Sequence, residues 1–414
     1  MPILLQIDSC LGVLSTGRIS EGIAKVAMSQ GWDCYIAHGA RYVGMSIQNT
    51  YQIESKKGEY AHYLKSLLFD AHGLGSIKAT KKLIDFIERI HPTVIQLHCI
   101  HGYYLNYKIL FEYLQTVNIP IVWTFHDCWA FTGHCAYFDS IICEKWKTGC
   151  YDCKLKKAYP KSIFLDRSKQ NFELKKKLFN SIANRMMIVP VSYWLEDLVK
   201  QSFLKDIRVN TIHNGTNIDV FKPRETNSLR SKLNIGDKKV VLGVALPWIP
   251  RKGMPDMLRL ADMLPNNEYQ VILVGLNEKQ LQELPKNVIG VSRTNSAEEL
   301  SEYYSLATAF VNPTYEDNFP TTNIEALACG TPVITYLTGG SPEAVDEKTG
   351  HVVEQCDVEG LRDAIFDVVR IGERMREDCR ERAVRLYDAN FAFHQYIELY
   401  NEVLNSTVGT AWGG

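Results

Sequence analysis

"NGTNIDVFKPRETNSLRSKLNIGDKK", residues 214–239, is polar along most of its length and carries Pro223 and Gly236. One pattern runs on either side of it. Upstream, the apolar runs "ILLQI" (3–7), "DCYIA" (33–37), "TVIQLH" (93–98), "IPIVWTF" (119–125) and "RMMIVPV" (185–191) alternate with longer amphipathic stretches. Short continuous apolar runs read as strands buried on both faces, while Ile84, Ile87 and Ile90 fall at helical spacing. Downstream, the alternation restarts with "VVLGVAL" (240–246), "YQVILVG" (269–275), "TAFVNP" (308–313) and "TPVITY" (331–336). The polar stretch is therefore a junction, placed near 214–225, between two α/β units with parallel sheets. We expect a Rossmann-like unit over 1–215 and a second over 216–390. Beyond 357 the pattern is helical, with "FAFHQYIELYNEVLN" (391–405) as the last helix.

A chain of 414 residues suits two cores better than one. A net charge of −1 gives no general attraction to nucleic acid. The N-terminal "MPILLQIDSC" has no basic region ahead of its apolar run, and no run is long enough to span a bilayer. The expectation is a cytoplasmic protein, in which 11 cysteines would not form a disulfide framework.

Parallel α/β sheets bind ligands beyond the C-terminal ends of their strands, so the segments after the strands carry the chemistry. After the first strand, Gly17 and Arg18 sit where a helix is expected to begin, which suits either an anion on helix N–H groups or an ordinary strand–helix turn. After "VVLGVAL", the triplet Arg251-Lys252-Gly253 precedes another helix. Adjacent cations at a helix start make a seat for a diphosphate, against the plain reading of a solvated basic turn. "TFHD" (124–127) puts His126 and Asp127 at a strand end, where a histidine is either a structural group or a catalytic one. In "YEDNFPTTNIEALACG" (315–330), Thr322 and Glu325 have the spacing of a capping box, a structural reason for the acid.

Together these segments resemble the GT-B-fold glycosyltransferases of family 4 (group 1), and among them the enzymes of bacterial exopolysaccharide and O-antigen assembly. The resemblance rests on "STGRI" (15–19), "TFHD" (124–127), "IHNGTNIDVF" (212–221), "RKG" (251–253), "EDNFPTTNIEALACGTPVI" (316–334) and "TGGSPEAV" (338–345), in the family's order. It implies two doubly wound domains facing a cleft, acceptor-binding first and donor-binding second, with the 391–405 helix crossing back to the first. It also implies a retaining, metal-independent hexosyltransferase moving sugar from a UDP- or GDP-sugar to a saccharide or lipid-linked acceptor for capsule or lipopolysaccharide. Within it, Lys252 and Arg251 would hold the donor diphosphate, Glu325 the ribose, and His126, beside Asp127, the transferred sugar. Gly17 and Arg18, Asn214, Asn318, Phe319, Pro320 and Thr321 would complete the donor site. The family's first acid lies eight residues before the second, which selects Asp317, whereas residue type selects Glu316. Leu246 stands where a companion arginine is usual. A sugar-nucleotide 2-epimerase or a catalytically silent partner subunit are the alternatives on the same fold.

Two further features lie outside that machinery. Cys135, Cys143, Cys150 and Cys153 are spaced C-x7-C-x6-C-x2-C, which suits a structural zinc ion or an iron–sulfur cluster, or four ordinary thiols. No cofactor is expected for catalysis itself. Residues 154–179 carry nine Lys/Arg against two acids with Ile163, Phe164, Phe172, Leu178 and Phe179 between them. That composition suits contact with an anionic membrane face or, equally, a solvated helix face.

Overall fold

The computed structural model describes residues 1–44, 46 and 49–408. The chain forms two compact units, Met1–His213 with Ala392–Gly414, and Asn214–Phe391.

In the first unit the strands are β1 (Ile3–Leu11), β2 (Asp33–Val43), β3 (Asn49–Gln52), β4 (Val94–Leu97), β5 (Ile121–Phe125), β6 (Met186–Pro190) and β7 (Arg208–Val209). They form one parallel sheet in the order β3-β2-β1-β4-β5-β6-β7. Every residue of β4, β5 and β6 is buried. Each valine or isoleucine so buried contributes about 1.5–3 kcal/mol, which is why these strands read as unbroken apolar runs. Helices cover the sheet through faces such as Leu83, Phe86 and Ile87 of the helix Ile77–Ile90.

Two of the polar groups within this core bond to one another and to the last helix. Gln96 donates to Thr124 Oγ1 at 3.0 Å and accepts from the Tyr400 hydroxyl, and Thr124 Oγ1 meets the Tyr396 hydroxyl at 3.3 Å. Tyr396 and Tyr400 belong to the last helix, Ala389–Val408, which is thereby locked onto the first sheet. Gly22 assists, since a side-chain carbon there would overlap the Phe393 ring.

The second unit repeats the plan with β8 (Lys239–Val244), β9 (Tyr269–Val274), β10 (Val288–Val291), β11 (Ala309–Asn312), β12 (Val333–Tyr336) and β13 (Gly350–Val353). The order is β10-β9-β8-β11-β12-β13, again parallel throughout. Both sheets reverse their winding beside the unit's first strand, between β1 and β4 and between β8 and β11. A doubly wound sheet opens a crevice at that reversal, where the following loops diverge to opposite faces.

Candidate active site

At the reversal of the second sheet, the loop after β8 and the loop after β11 are laced together. Arg251 and Lys252 lie in a 3-10 turn, Pro250–Lys252, that ends at Gly253 with φ +73°. A side-chain carbon on Gly253 would overlap the Pro313 carbonyl, so glycine is required for the two loops to touch. The Arg251 carbonyl accepts from the Tyr315 N–H at 2.7 Å and from Thr314 Oγ1 at 3.2 Å. Its guanidinium donates to the Glu316 carbonyl at 2.6 Å. Lys252 Nζ pairs with Asp317 Oδ2, while Asp317 Oδ1 accepts the Asn318 N–H at 3.0 Å. Of the two adjacent acids, Asp317 thus turns its carboxylate to the cations, whereas Glu316 meets Arg251 through its backbone.

A third loop closes on the same point. Gly339, at φ +52°, rests against the Asp317 carbonyl, where no side-chain carbon would fit. Behind the loops, buried Asp256 accepts from the hydroxyls of Tyr315 at 2.8 Å and Tyr336 at 2.7 Å. This brace went unread in the sequence, where no short motif links the three residues. Leu246, two residues beyond β8, lies 70% exposed.

Glu325 corrects one expectation. The helix Thr321–Ala328 starts after Pro320, with no side-chain cap, so Thr322 does not cap and the capping box does not form. Pro320 supplies the extended residue that opens the helix earlier, which moves Glu325 from the third position to the fifth, beyond reach of the helix start. Its buried carboxylate instead accepts from Tyr304 OH at 3.0 Å. Nearby, Asn214 donates to the Phe319 carbonyl at 3.1 Å, and the Phe319 ring lies 5.7 Å from that of Tyr387.

The first unit presents a different chemistry. His126 and Asp127 follow β5, and His126 Nε2 lies 3.2 Å from Nδ1 of His98, whose Nε2 lies 3.0 Å from Gln6 Oε1. Gln6 spends its amide nitrogen on the Ser20 carbonyl at 2.7 Å, which leaves its oxygen as the group facing His98. His98 must then donate from Nε2 and accept at Nδ1, so His126 donates from Nε2 and keeps Nδ1 as its acceptor. Burial holds both rings neutral: His98 is pushed well below the usual range and His126 down to about 4. His98 ends the run "TVIQLH", and its position at a strand end was the only signal for it.

Asp127 is ionised. Burial alone would raise its carboxyl, but His101 Nε2 at 2.8 Å and the Trp129 N–H at 2.9 Å outweigh that and hold it below the usual value. Cys99, His101 and Asp127 bring their ligating atoms within 4.8 Å of one another. His101 Nδ1 also reaches the Tyr159 hydroxyl at 3.0 Å.

The glycine reading at the first helix shifts as well. The helix spans Leu14–Ser29, so Gly17 is buried inside its first turn and does not precede it, and Arg18 is exposed. The turn itself is made by Gly12 at φ +63° and Leu14 at φ +58°. Gly17 leaves room for Gly12 and Cys10, which a side chain there would crowd at 3.0–3.1 Å. Beside this turn, burial pushes the Asp8 carboxyl up to about 7.

The four loop cysteines are free thiols that line one cavity of about 200 Å³. They do not form a group within 4.8 Å as Cys99, His101 and Asp127 do. The basic segment is divided. Phe172, Leu178 and Phe179 are buried in the helix Ser168–Asn180, whereas Ile163 and Phe164 are exposed. Lys175 is buried too, donating to the carbonyls of Trp129 at 2.6 Å and Thr132 at 3.0 Å.

Residues 225–385 match the family of group 1 glycosyl transferases. WcaC of Escherichia coli (strain K12), a protein assigned as a colanic acid biosynthesis glycosyl transferase, is 26% identical over 286 residues, 64% of this chain and 65% of its own length. Sucrose-phosphate synthase from Thermosynechococcus elongatus superposes with a TM-score of 0.73 at 18% identity, over 98% of this chain and 100% of that one. Anabaena Alr3699/HepE in complex with UDP gives 0.65 at 14% identity, over 97% and 100%. The fold is GT-B.

A neutral His126 has a measurable consequence. Between pH 6.5 and about 4 the unfolded chain binds a proton at this residue that the folded chain refuses, so this group removes stability as pH falls through that window. A His126→Asn variant should lose less stability than the parent on acidification from pH 7 to 4, as read from urea midpoints. Equal losses would show that His126 charges normally in the folded protein.

Proposed function

We propose that this chain, whose residues 225–385 match the group 1 glycosyl transferases, moves a sugar from a nucleotide-activated donor to a saccharide or lipid-linked saccharide acceptor, in the assembly of a cell-surface polysaccharide. The observation that carries this reading is the seat built from Arg251, Lys252 and Gly253 at the sheet reversal, ahead of the ten-residue helix Met254–Met263. Cleaving a sugar–phosphate bond leaves a nucleoside diphosphate on which negative charge grows. Two cations and a helix N-terminus aimed at it stabilise that charge, so no metal is required there. A UDP-type donor is supported by the likeness to HepE, whose structure holds UDP.

Around that seat each group has a task. Lys252 exchanges Asp317 for phosphate when the donor arrives, and the released carboxylate lies beside the leaving group, near the transferred sugar. Glu325, oriented by Tyr304, accepts from the ribose hydroxyls. Asn214 fixes the backbone at Phe319, just before the helix that carries Glu325. His126 would face the transferred sugar as a neutral ring, and Asp127, paired with His101, holds the Trp129 N–H behind it. By the resemblance to family 4, the transfer would retain the anomeric configuration.

A lipid-linked acceptor is supported by one surface of the first unit. Tyr159, Ile163, Phe164 and Leu165 are exposed in a stretch with Lys154, Lys156, Lys157 and Lys161. The Ile163 N–H bonds to the Leu67 carbonyl at 2.8 Å, which sets this stretch beside Leu64, Leu68 and Phe69, also exposed. Apolar side chains ringed by lysines suit the face of an anionic bilayer. Among the described residues no helix is long and apolar enough to cross one.

Incubation with a panel of sugar nucleotides should release free sugar slowly, whereas an epimerised donor or no reaction at all would exclude transfer. Lys252→Ala should cut turnover by at least about 100-fold with the thermal midpoint little changed, the loss typical of one electrostatic contact to a developing charge. Near-parental turnover would remove the diphosphate seat. Asp317→Asn should bind the nucleoside diphosphate product several-fold more tightly, because Lys252 loses its internal partner, while Glu316→Gln should not. The reverse ranking, by calorimetry, would give the first-acid role to Glu316. Sedimentation with vesicles rich in anionic lipid should fall in Phe164→Ser, and binding unaffected by that change or by high salt would refute the membrane face.

A further inference from the structure

The segment between Asp127 and the helix Ser168–Asn180 is long, and among its described residues only three single 3-10 turns interrupt it, Trp129–Phe131, Asp139–Ile141 and Lys145–Lys147. A loop of that length inside a compact unit needs something besides backbone ladders to hold it. Part of the answer is visible at its two ends. Lys175 holds the Trp129 and Thr132 carbonyls, and Asp70 accepts from both the His134 ring at 2.6 Å and the Arg167 N–H at 2.6 Å. The middle, with Cys135, Cys143, Cys150 and Cys153, packs around a small cluster of Trp146 against Phe131 and Phe138, with centroids 5.3 and 5.2 Å apart.

We propose that Cys135, Cys143, Cys150 and Cys153 bind one zinc ion that orders this segment. All four side chains line the same cavity, and Trp146 forms part of its wall. The terminal Cys150-Tyr151-Asp152-Cys153 is folded as a tight knuckle, with Asp152 in the left-handed region at φ +45°. Lys145 Nζ ties that knuckle down by donating to the carbonyls of Tyr151 at 2.9 Å and Asp152 at 3.1 Å. The Gly133 N–H points at Cys150 Sγ at 3.2 Å, the kind of donor that supports a metal-bound thiolate. Cys153 is braced in turn, its N–H donating to Asp166 Oδ2 at 2.5 Å.

Thiolates select zinc and give it a closed four-coordinate sphere, with Zn–S bonds of about 2.3 Å that set the sulfurs about 3.8 Å apart. Cys135 and Cys153 already lie within hydrogen-bonding reach of each other across the cavity, with Cys150 beside them. Cys99, His101 and Asp127 are closer together, but His101 already spends Nε2 on Asp127 and Nδ1 on Tyr159. That group is complete without an ion.

The test uses the full chain purified without chelator. Elemental analysis should find about one equivalent of zinc, and a maleimide should reach the four thiols only after chelation or denaturation. Cys150→Ser and Cys153→Ser should each lose the metal, whereas Cys356→Ser, an exposed cysteine of the other unit, should keep it. Cobalt replacing zinc should show the visible bands of a tetrahedral thiolate site. If the variants do not fold, the metal and thiol content of the parent chain decides. Less than about half an equivalent of metal with freely alkylated thiols would overturn the proposal. So would iron with acid-labile sulfide, or a disulfide between any two of the four.

Discussion

At Gly253 the backbone of one loop rests on the Pro313 carbonyl of another, with no space for a side-chain carbon between them. Everything distinctive about the second unit's site follows from that contact. It places Arg251 where its carbonyl can hold Tyr315 and its guanidinium can hold the Glu316 carbonyl. Those two bonds set the rotation of the backbone that presents Asp317 to Lys252. A larger residue at 253 would push the loops apart and dissolve the constellation without touching any charged group. Gly339 imposes the same condition from the other side, so Asp317 is held by glycines on two loops.

The two units handle charge in opposite ways. In the second, Arg251 and Lys252 face the Asp317 carboxylate in a partly exposed cluster. In the first, burial suppresses charge, and His98 and His126 form a neutral relay whose donors and acceptors are ordered by one glutamine amide. Asp127 keeps its charge only because His101 and a backbone N–H surround it.

What could be read from the sequence depended on how local its cause was. The central strands were legible because complete burial leaves mostly apolar residues. The edge strands β3, "NTYQ", and β7, two residues long, were not, since an exposed edge imposes no such composition. Lys252 and Glu325 could be singled out because each belongs to a short contiguous motif. His98 and Tyr304 could not, because their partners lie 28 and 21 residues away and only the fold unites them. Gly17 drew attention in place of Gly12 because the helix was expected to start later than it does. The capping box failed for a related reason: Pro320 shifted the helix start, and a pattern correct in spacing lost its geometry.

The last helix has a topological meaning. The chain leaves the first unit after His213 and re-enters it at Ala392, so the second unit is an insertion within the first. The two crossing strands of chain are hydrogen-bonded neighbours: the Thr216 N–H donates to the Tyr387 carbonyl at 2.8 Å, and the Ala389 N–H to the Thr216 carbonyl at 2.9 Å. The second unit therefore enters and leaves through adjacent points and is one uninterrupted piece, while the first is assembled from two. Such a module can be exchanged whole, by recombination at two sites, without breaking either sheet.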